Sequence, residues 1–289
     1  MPLGLWEASP VPWLPELFSA PALAQVQERL RLEELDTVPY FAGFLTGEID
    51  ALIGSFAGEP EIHYPVRGRV KGARAFAAYA ERTRAWLEDR EASIDDVGIL
   101  KTERRSVGEA VLDLGGEDGR VDLPVGIVAD RRPDARMEEV RVYYSGWPLT
   151  GRHAHRLPVL QPDPELREPD VVGEYQRALA AGDVDAIVDA FEPSGYAREP
   201  AGGDHIHRGP DALREFYGYV FANGGGIPLE HCTLTDDGRA CALEYNVVRW
   251  GQTELSPEAG VAVYVRGESG KLAAARIYDD CDPPLGPAT

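Results

Sequence analysis

A repeat within the chain constrains its fold more than any other feature of the sequence. Residues 47–56, GEIDALIGSF, return at 182–191 as GDVDAIVDAF, a shift of 135 positions. The same shift relates further pairs of residues: Tyr40 and Tyr175, Pro65 and Pro200, Arg141 and Arg276, Tyr143 and Tyr278, Pro148 and Pro283. This period is longer than that of a solenoid repeat, so the sequence predicts two copies of one domain.

The repeat also sets the expected domain limits. In a chain of 289 residues, each copy is close to the usual size of a domain. We predict a proline-rich arm at 1–24, a first domain at 25–150, a connector at 151–167 and a second domain at 168–285. Prolines and scattered charges in the connector favour an extended surface segment.

Helical periodicity opens each copy. In the second copy Asp170 is placed to cap a helix, a short helix follows the break at Gly182, and a third begins at Gly209 with a proline at its first turn. The apolar faces of these three helices are Val171, Val172, Tyr175 and Leu179; then Val184, Ile187, Val188 and Phe191; then Leu213, Phe216, Tyr217 and Val220. Ala73, Phe76, Tyr79 and Trp86 form the matching face of the third helix in the first copy.

Strands follow the helices. Alternating or β-rich segments lie at 107–114, 121–129, 138–144, 229–234, 240–250, 259–266 and 272–279, separated by turns such as TDDG and RGESG. Helices followed by hairpin-connected strands indicate an α+β fold. We therefore predict two tandem cone-shaped α+β barrel domains, each with three helices packed on a curved antiparallel sheet.

Composition excludes several classes of partner. The formal charge of −20 repels phosphate backbones and anionic headgroups, so we expect neither nucleic-acid nor membrane binding. No basic start, signal-like core or long apolar run is present, and the three cysteines favour free thiols in a reducing compartment. We therefore expect a cytoplasmic protein.

The second copy resembles a known superfamily. Its segments VVGEYQRALAAGDVDAIVDAFEPSGYAREP and RGPDALREFY are similar to the nuclear transport factor two-like proteins, and nearest to ketosteroid isomerases, SnoaL-like polyketide cyclases and small epoxide hydrolases. The first copy matches through TGEIDALIGSF, a Tyr-Pro pair and the final Arg-x-Tyr strand. The resemblance implies that Glu199 is the proton-shuttling base and Tyr175 the oxyanion donor. The family's protonated aspartate would fall near Gly260 or Val261, where this chain has no side chain able to donate.

Physical reasoning bears on the same residues. Glu199 ends a strand beside Ala197 and Pro200, where burial would raise its pKa toward values useful for proton transfer. Period-two alternation places Asp279 on the same face as Ala275 and Ile277, hence at the rim of an apolar interior.

Two further residues complete the candidate site of the second copy. The resemblance suggests Glu230 as an alternative second acid, and we expect Tyr264 to contact substrate. Each of these acidic and aromatic residues also has a structural alternative, as a solvated strand end or a core tyrosine.

The first copy differs at these positions. Tyr64 stands where the second copy has Glu199, and Tyr144 where it has Asp279. We expect this copy to lack the usual base and to act as a degenerate or ligand-binding partner, its aromatic candidates being Tyr40, Tyr64, Tyr143, Tyr144 and Trp147. An aromatic core or a domain interface would account for the same residues.

Metal and cofactor signals are weak. His205 and His207 lie on one strand face, but a zinc site needs a third ligand that spacing does not supply. We expect no metal and no cofactor.

Two functions fit the sequence. One is a cofactor-independent acid/base enzyme, an isomerase, cyclase or epoxide hydrolase, that acts on a small apolar molecule in the second domain. The other is a non-catalytic binding or scaffold protein, because this fold often serves without catalysis. The two copies would form a pseudo-dimer within one chain, so we expect a monomer or homodimer.

Overall fold

The computed structural model describes residues 49–65, 68–116, 119–132, 134, 136–203 and 205–284. By its internal contacts the chain divides into two compact units. Unit 1 is Met1–Gly98 with Glu103–Val142, and unit 2 is Ile99–Thr102 with Tyr143–Thr289. Tyr40, the predicted arm at 1–24 and the start of the first predicted domain lie outside the described residues.

Each sheet has six strands. The strands of the first are β1 (Glu61–Tyr64), β2 (Gly68–Lys71), β3 (Ser93–Lys101), β4 (Arg105–Gly116), β5 (Gly119–Arg131) and β6 (Met137–Tyr143). Those of the second are β7 (Phe191–Arg198), β8 (Ile206–Arg208), β9 (Leu229–Asp236), β10 (Ala240–Trp250), β11 (Thr253–Arg266) and β12 (Leu272–Tyr278). The orders are β2-β1-β6-β5-β4-β3 and β8-β7-β12-β11-β10-β9, so the second sheet repeats the topology of the first.

Six helices accompany these strands in the described part of the chain. They are α1 (Ile49–Gly54), α2 (Ala73–Asp89), α3 (Trp147–Thr150), α4 (Asp170–Ala181), α5 (Val184–Ala190) and α6 (Gly209–Val220). None of them combines the length and the apolar character that crossing a membrane requires. Together with the sheets they give the α+β fold expected from the sequence.

Two details of the predicted sheet need correction. The hairpin-connected strands are antiparallel, but β1 pairs with β6 and β7 with β12 in parallel. These partners are distant in sequence, so no tight turn fixes their relative direction. The sequence also failed to predict β3, whose aspartates interrupt the expected alternation.

The helices of unit 2 begin and end where local signals place them. Gly182 ends α4 in the left-handed region, with φ of 72°, and its N–H contacts the carbonyls of the last turn. The Asp183 carboxylate then accepts a hydrogen bond from the N–H of Ala186 and caps α5. Asp170, predicted to cap α4, is instead its first residue and the cap position is Pro169, although the Asp170 carboxylate accepts a hydrogen bond from the N–H of Val172 at 3.3 Å.

The core of unit 2 joins these helices to the sheet. Its buried members come from α4, α5, α6 and from alternating positions of the strands. The predicted helix faces supply much of this core, including Val172, Ile187 and Leu213, each below 1% exposed. The three cysteines of the chain are free and buried, as predicted.

Candidate functional site

Glu199 directly follows β7 and is held by its backbone. Its N–H donates to the carbonyl of His205 at 3.0 Å, and its carbonyl accepts from the N–H of Gly202 at 3.1 Å. Two residues earlier, Ala197 is fully buried in the core, so strand alternation turns the Glu199 side chain toward the same face. That side chain is 31% exposed, which leaves the carboxylate reachable from solvent.

Two imidazoles stand beside this carboxylate. His207 Nε2 lies 2.6 Å from Glu199 Oε1, a hydrogen bond, while His205 Nδ1 lies 3.5 Å from the same oxygen. The His207 ring is stacked on Phe216 of α6, with centroids 4.1 Å apart and planes 7° from parallel. Glu199 therefore contacts both members of the histidine pair for which the sequence supplied no third ligand. These three residues nonetheless do not form a compact metal-ligand group in the described part of the chain.

A pair of buried tyrosines is the next part of the candidate site. Tyr175 of α4 and Tyr217 of α6 are each 2% exposed, and their hydroxyl oxygens are 2.7 Å apart. The Tyr175 ring also contacts Phe191 and Tyr264, with centroids 5.9 and 5.2 Å away. Tyr175 thus lies on the inner face of α4, as predicted, with a hydroxyl partner.

The two hydroxyls differ in how firmly they hold their protons. Burial raises the pKa of Tyr175 to about 12, while the hydrogen bond with Tyr217 lowers it. Burial raises the pKa of Tyr217 well above its usual value, and Tyr175, Tyr264 and the negative charge of Glu199 raise it further. The two hydroxyls share one hydrogen bond in which either oxygen can be the donor. When Tyr217 donates, the hydrogen of the Tyr175 hydroxyl is available to another acceptor.

Asp279 follows β12 and faces the core, as alternation predicted from Ala275 and Ile277, which both belong to the core. Tyr245 donates its hydroxyl to Asp279 Oδ2 at 2.8 Å. Burial raises the pKa of Asp279 to about 6, although the hydrogen bond from Tyr245 opposes this rise. A carboxyl of this kind is partly protonated near neutral pH.

Gly260 makes room for this second acid. A Cβ at position 260 would lie 2.7 Å from Tyr245 Cε2 and 2.8 Å from the Cβ of Asp279. The sequence has no acid at position 260 or 261, where the family's protonated aspartate would fall. Asp279, which follows the neighbouring strand β12, approaches position 260 instead. Asp279 and its tyrosine partner occupy the space that a larger residue at 260 would fill.

Some of the predicted site residues of unit 2 interact with one another in the structure. Tyr264 is 1% exposed and contacts Tyr175, and Asp279 contributes to the raised pKa of Tyr264. Direct contacts therefore join Tyr217, Tyr175 and Tyr264, and the charges of Glu199 and Asp279 raise the pKa values of Tyr217 and Tyr264. Glu230, by contrast, is exposed on β9.

Sequence reasoning missed three members of this site. Tyr217 and Tyr245 lie on predicted apolar faces. Their pattern therefore indicates core residues and gives no signal that their hydroxyls belong to the site. The sequence pattern indicated His207 only as a possible metal ligand. Tyr217 could have been found by pairing the inward hydroxyls of two helices, but the meeting of His207 with Glu199 depends on strand register.

The aromatic candidates of the first copy are placed differently. Tyr64 is 3% exposed and packs on Tyr79 of α2, with ring centroids 5.0 Å apart. Tyr144 is buried, whereas Trp147 is 46% exposed and stacks on His153 at 5.1 Å. Tyr144 and Trp147 both belong to unit 2 by their contacts, which separates them from Tyr64.

Among the described residues, unit 1 contains one compact group of potential metal ligands. In Glu61, His63 and Glu139, the ligand atoms lie within 4.8 Å of one another. Glu61 already accepts hydrogen bonds from Arg69 and, at 2.7 Å, from Lys71, and these contacts lower its pKa to about 2. Because side-chain cations already neutralise Glu61, the group serves as an ion-pair network.

Comparison with protein families identifies one matching region. Residues 172–275 match the model of the SnoaL-like domain. This region contains Tyr175, Glu199, His207, Tyr217, Tyr245 and Tyr264, and it confirms the SnoaL-like, nuclear transport factor two-like fold recognised in the second copy. A comparison with curated proteins finds no match.

Three of the solved structures similar to this chain each cover 38–40% of it. A candidate polyketide cyclase from Sinorhizobium meliloti is 22% identical, with a TM-score of 0.33, and covers 38% of this chain and 94% of its own. The epoxide hydrolase/cyclase-like enzyme SalBIII, which acts in pyran ring formation in polyether salinomycin, is 25% identical, with a TM-score of 0.31, and covers 38% and 87%. An NTF2-like protein of unknown function from Cytophaga hutchinsonii is 15% identical, with a TM-score of 0.32, and covers 40% and 94%.

Proposed function

We propose that unit 2 is a cofactor-independent acid/base enzyme that transfers protons on a small, largely apolar metabolite. One observation carries the proposal: Glu199 is a solvent-reachable carboxylate at a strand end, and its charge raises the pKa of Tyr217 in the buried hydroxyl pair of Tyr175 and Tyr217. A base and an oxygen-stabilising donor on one side of an apolar core are what enolisation requires. The names of the similar structures, a candidate polyketide cyclase and an epoxide hydrolase/cyclase-like enzyme, agree with this class of chemistry.

In this mechanism Glu199 and Tyr175 act on neighbouring atoms of the substrate. A Glu199 oxygen removes a proton from a carbon next to a carbonyl, and the Tyr175 hydroxyl donates to the carbonyl oxygen as negative charge develops there. We propose that Tyr217 donates to Tyr175, because a hydroxyl that accepts a hydrogen bond is itself a better donor. A positioned base contributes about 10²–10⁴-fold to such a rate, and one oxyanion donor about 10²–10³-fold.

Asp279 supplies the second acid in this proposal. With a pKa of about 6, it holds a proton in about a tenth of the molecules at pH 7 and can deliver that proton to a substrate oxygen. Tyr245 fixes the other end of that carboxyl through its 2.8 Å hydrogen bond. Ring closure by aldol addition and epoxide opening both need such a proton donor opposite the base.

The surroundings of the hydroxyl pair favour an apolar substrate. Phe191 and Tyr264 contact the Tyr175 ring, and the side chains of Leu213 and Val172 belong to the same buried core. Apolar walls with a few directed hydroxyls are typical of sites for small molecules with isolated oxygen functions.

Unit 1 has a different role in this proposal. Tyr64 packed on Tyr79 stands where unit 2 has its acid, so we propose that the first domain, 25–150, supports or binds rather than catalyses. The same proposal includes the arm at 1–24, the connector at 151–167 and the second domain at 168–285. It also includes the cone-like packing of three helices on each sheet. Because the chain already holds two copies of the fold, light scattering should give a monomer near 31.6 kDa or a homodimer, and an obligate tetramer would contradict this.

Proton exchange on a simple ketone tests the catalytic proposal. The probe is 2-tetralone, an apolar bicyclic ketone, incubated with the protein in D2O while loss of its α-proton signal is followed by NMR. We expect Glu199→Gln to lower the exchange rate about 100-fold or more, and Tyr175→Phe to lower it at least tenfold. The exposed carboxylate of Glu230 gives a matched control, since Glu230→Gln should leave the rate unchanged.

Two results would count against catalysis. If Glu199→Gln exchanged as fast as the parent protein, Glu199 would not be the base. If the parent protein accelerated neither this exchange nor the hydration of styrene oxide, the non-catalytic binding role would be the better description.

A further inference from the structure

We propose that His207 is the positioning residue for Glu199: its imidazole holds one carboxylate oxygen and leaves the other as the atom that takes the proton of the substrate. This inference rests on the proposed role of Glu199 as a base. It concerns how the base is held, which neither the family match nor the similar structures specify.

The hydrogen bond fixes which atoms are engaged. An ionised carboxylate can only accept, so His207 Nε2 carries the hydrogen in its 2.6 Å contact with Glu199 Oε1. Among the described residues no hydrogen bond reaches Oε2 of Glu199, whose side chain is 31% exposed. Oε2 is therefore the oxygen open to a substrate.

Packing fixes the plane of the imidazole. The His207 ring lies face to face with Phe216 at 4.1 Å and 7°, and Phe216 itself packs edge-on against Tyr217 at 4.8 Å. The same helix, α6, therefore carries both the platform beneath His207 and one of the paired hydroxyls. The base and the oxygen-binding group are held in register by one rigid element.

Strand register brings the imidazole to the acid. In the antiparallel pair of β7 and β8, His207 lies directly opposite Ala197. Residues directly opposite each other share a face of the sheet, and Glu199 is two positions along from Ala197 on that face. His207 and Glu199 are diagonal neighbours, within reach of two long side chains.

The internal repeat offers a comparison for this arrangement. In the first sheet Ile62 corresponds to Ala197 and pairs with Val70, so a valine occupies the place of His207. Tyr64 occupies the place of Glu199 in the same copy. The acid and its imidazole are thus both present in one copy and both replaced in the other, as expected of two residues that act together.

A base-only probe isolates this effect. With 5-nitrobenzisoxazole, Glu199 Oε2 would take the ring C–H proton, the electron pair of that C–H bond would complete a nitrile, and the N–O bond would break to release a coloured phenolate. The proton then passes from Glu199 to water. No oxyanion donor or second acid is essential, so the rate reports on the base and its orientation.

Three variants separate positioning from mere packing. We expect His207→Leu, which removes the donor, to lower kcat about 10- to 100-fold with KM changed less than twofold, because a misplaced base loses rate rather than binding. His207→Gln keeps an N–H donor and should recover kcat to within about threefold of the parent protein. The matched control is His205→Leu, whose imidazole lies 3.5 Å from the same oxygen without a hydrogen bond and whose loss should have no effect.

A second measurement keeps the test valid if His207→Leu fails to fold. Free imidazole should restore part of the lost rate to His207→Gly, because it can occupy the space above Phe216 and donate to Oε1. Equal rates for His207→Leu and the parent protein, or the absence of imidazole rescue, would overturn the role of His207. If Glu199→Gln itself retains the parent rate with this probe, then the base assignment fails first, and the two failures are thereby distinguished.

Discussion

Replacing Asp279 with Asn is expected to stabilise the protein at pH 8 and to change its stability little at pH 4. Burial raises the pKa of this carboxyl from 3.8 to about 6. Between these two values the folded protein keeps a proton that the unfolded chain has released, so the free energy of unfolding falls as pH rises through this window. The difference of about two pH units corresponds to a penalty of at most ~3 kcal/mol above pH 6.

Asn at 279 avoids that penalty because it carries no charge, and its side-chain oxygen can still accept from Tyr245. Urea unfolding at pH 4, 6 and 8 measures the difference between variant and parent, which should grow with pH. The exposed Glu268, substituted by Gln, is the control and should show no such trend. A pH-independent difference for Asp279→Asn would show that the folded protein does not hold this proton, and the second acid of the proposed mechanism would be lost with it.

Two further substitutions test the surroundings of the site and of the connector. Gly260→Ala places a Cβ within 2.7 Å of the Tyr245 ring and 2.8 Å of the Asp279 Cβ, so it should cost about 1–3 kcal/mol in urea unfolding; an unchanged midpoint would refute this close packing. The hydrogen bond that His153 donates to Asp280 raises the pKa of His153, with the charges of Asp280, Asp282 and Asp279 acting in the same direction. Protonated His153 therefore contributes its full stabilisation below pH 6.5, and this stabilisation is lost as pH rises through the higher pKa that His153 has in the folded protein. His153→Gln should thus destabilise the protein more at pH 5.5 than at pH 8.5. The reverse order in thermal melts would contradict the ion pair.

Much of the fold can be predicted from the sequence because the sequence signals that specify it are local. Helix faces such as Val172, Tyr175 and Leu179 follow from a period of 3.6 residues, and the inward direction of Asp279 follows from a period of two. Gly182 and Asp183 mark the end of one helix and the start of the next through their own conformational preferences. The 135-residue repeat gave the tandem arrangement before any contact was known.

The site itself was only partly readable, because its members meet through distant pairings. Glu199 and Tyr175 were recognised from a motif, but the parallel pairing of β7 with β12 is specified by no turn. Tyr217 read as an ordinary core position, since periodicity reports which face a residue occupies and not which hydroxyl it meets.

The sequence by itself determined two copies of one α+β fold, an acid at a strand end in the second copy and a tyrosine in its place in the first. Tertiary structure alone decided that His207 reaches Glu199, that Tyr217 supports Tyr175, and that Asp279 fills the space left by Gly260. The physical reason is that a side chain's direction is set by its own backbone, whereas its partner is set by the register of strands and helices far away in the chain.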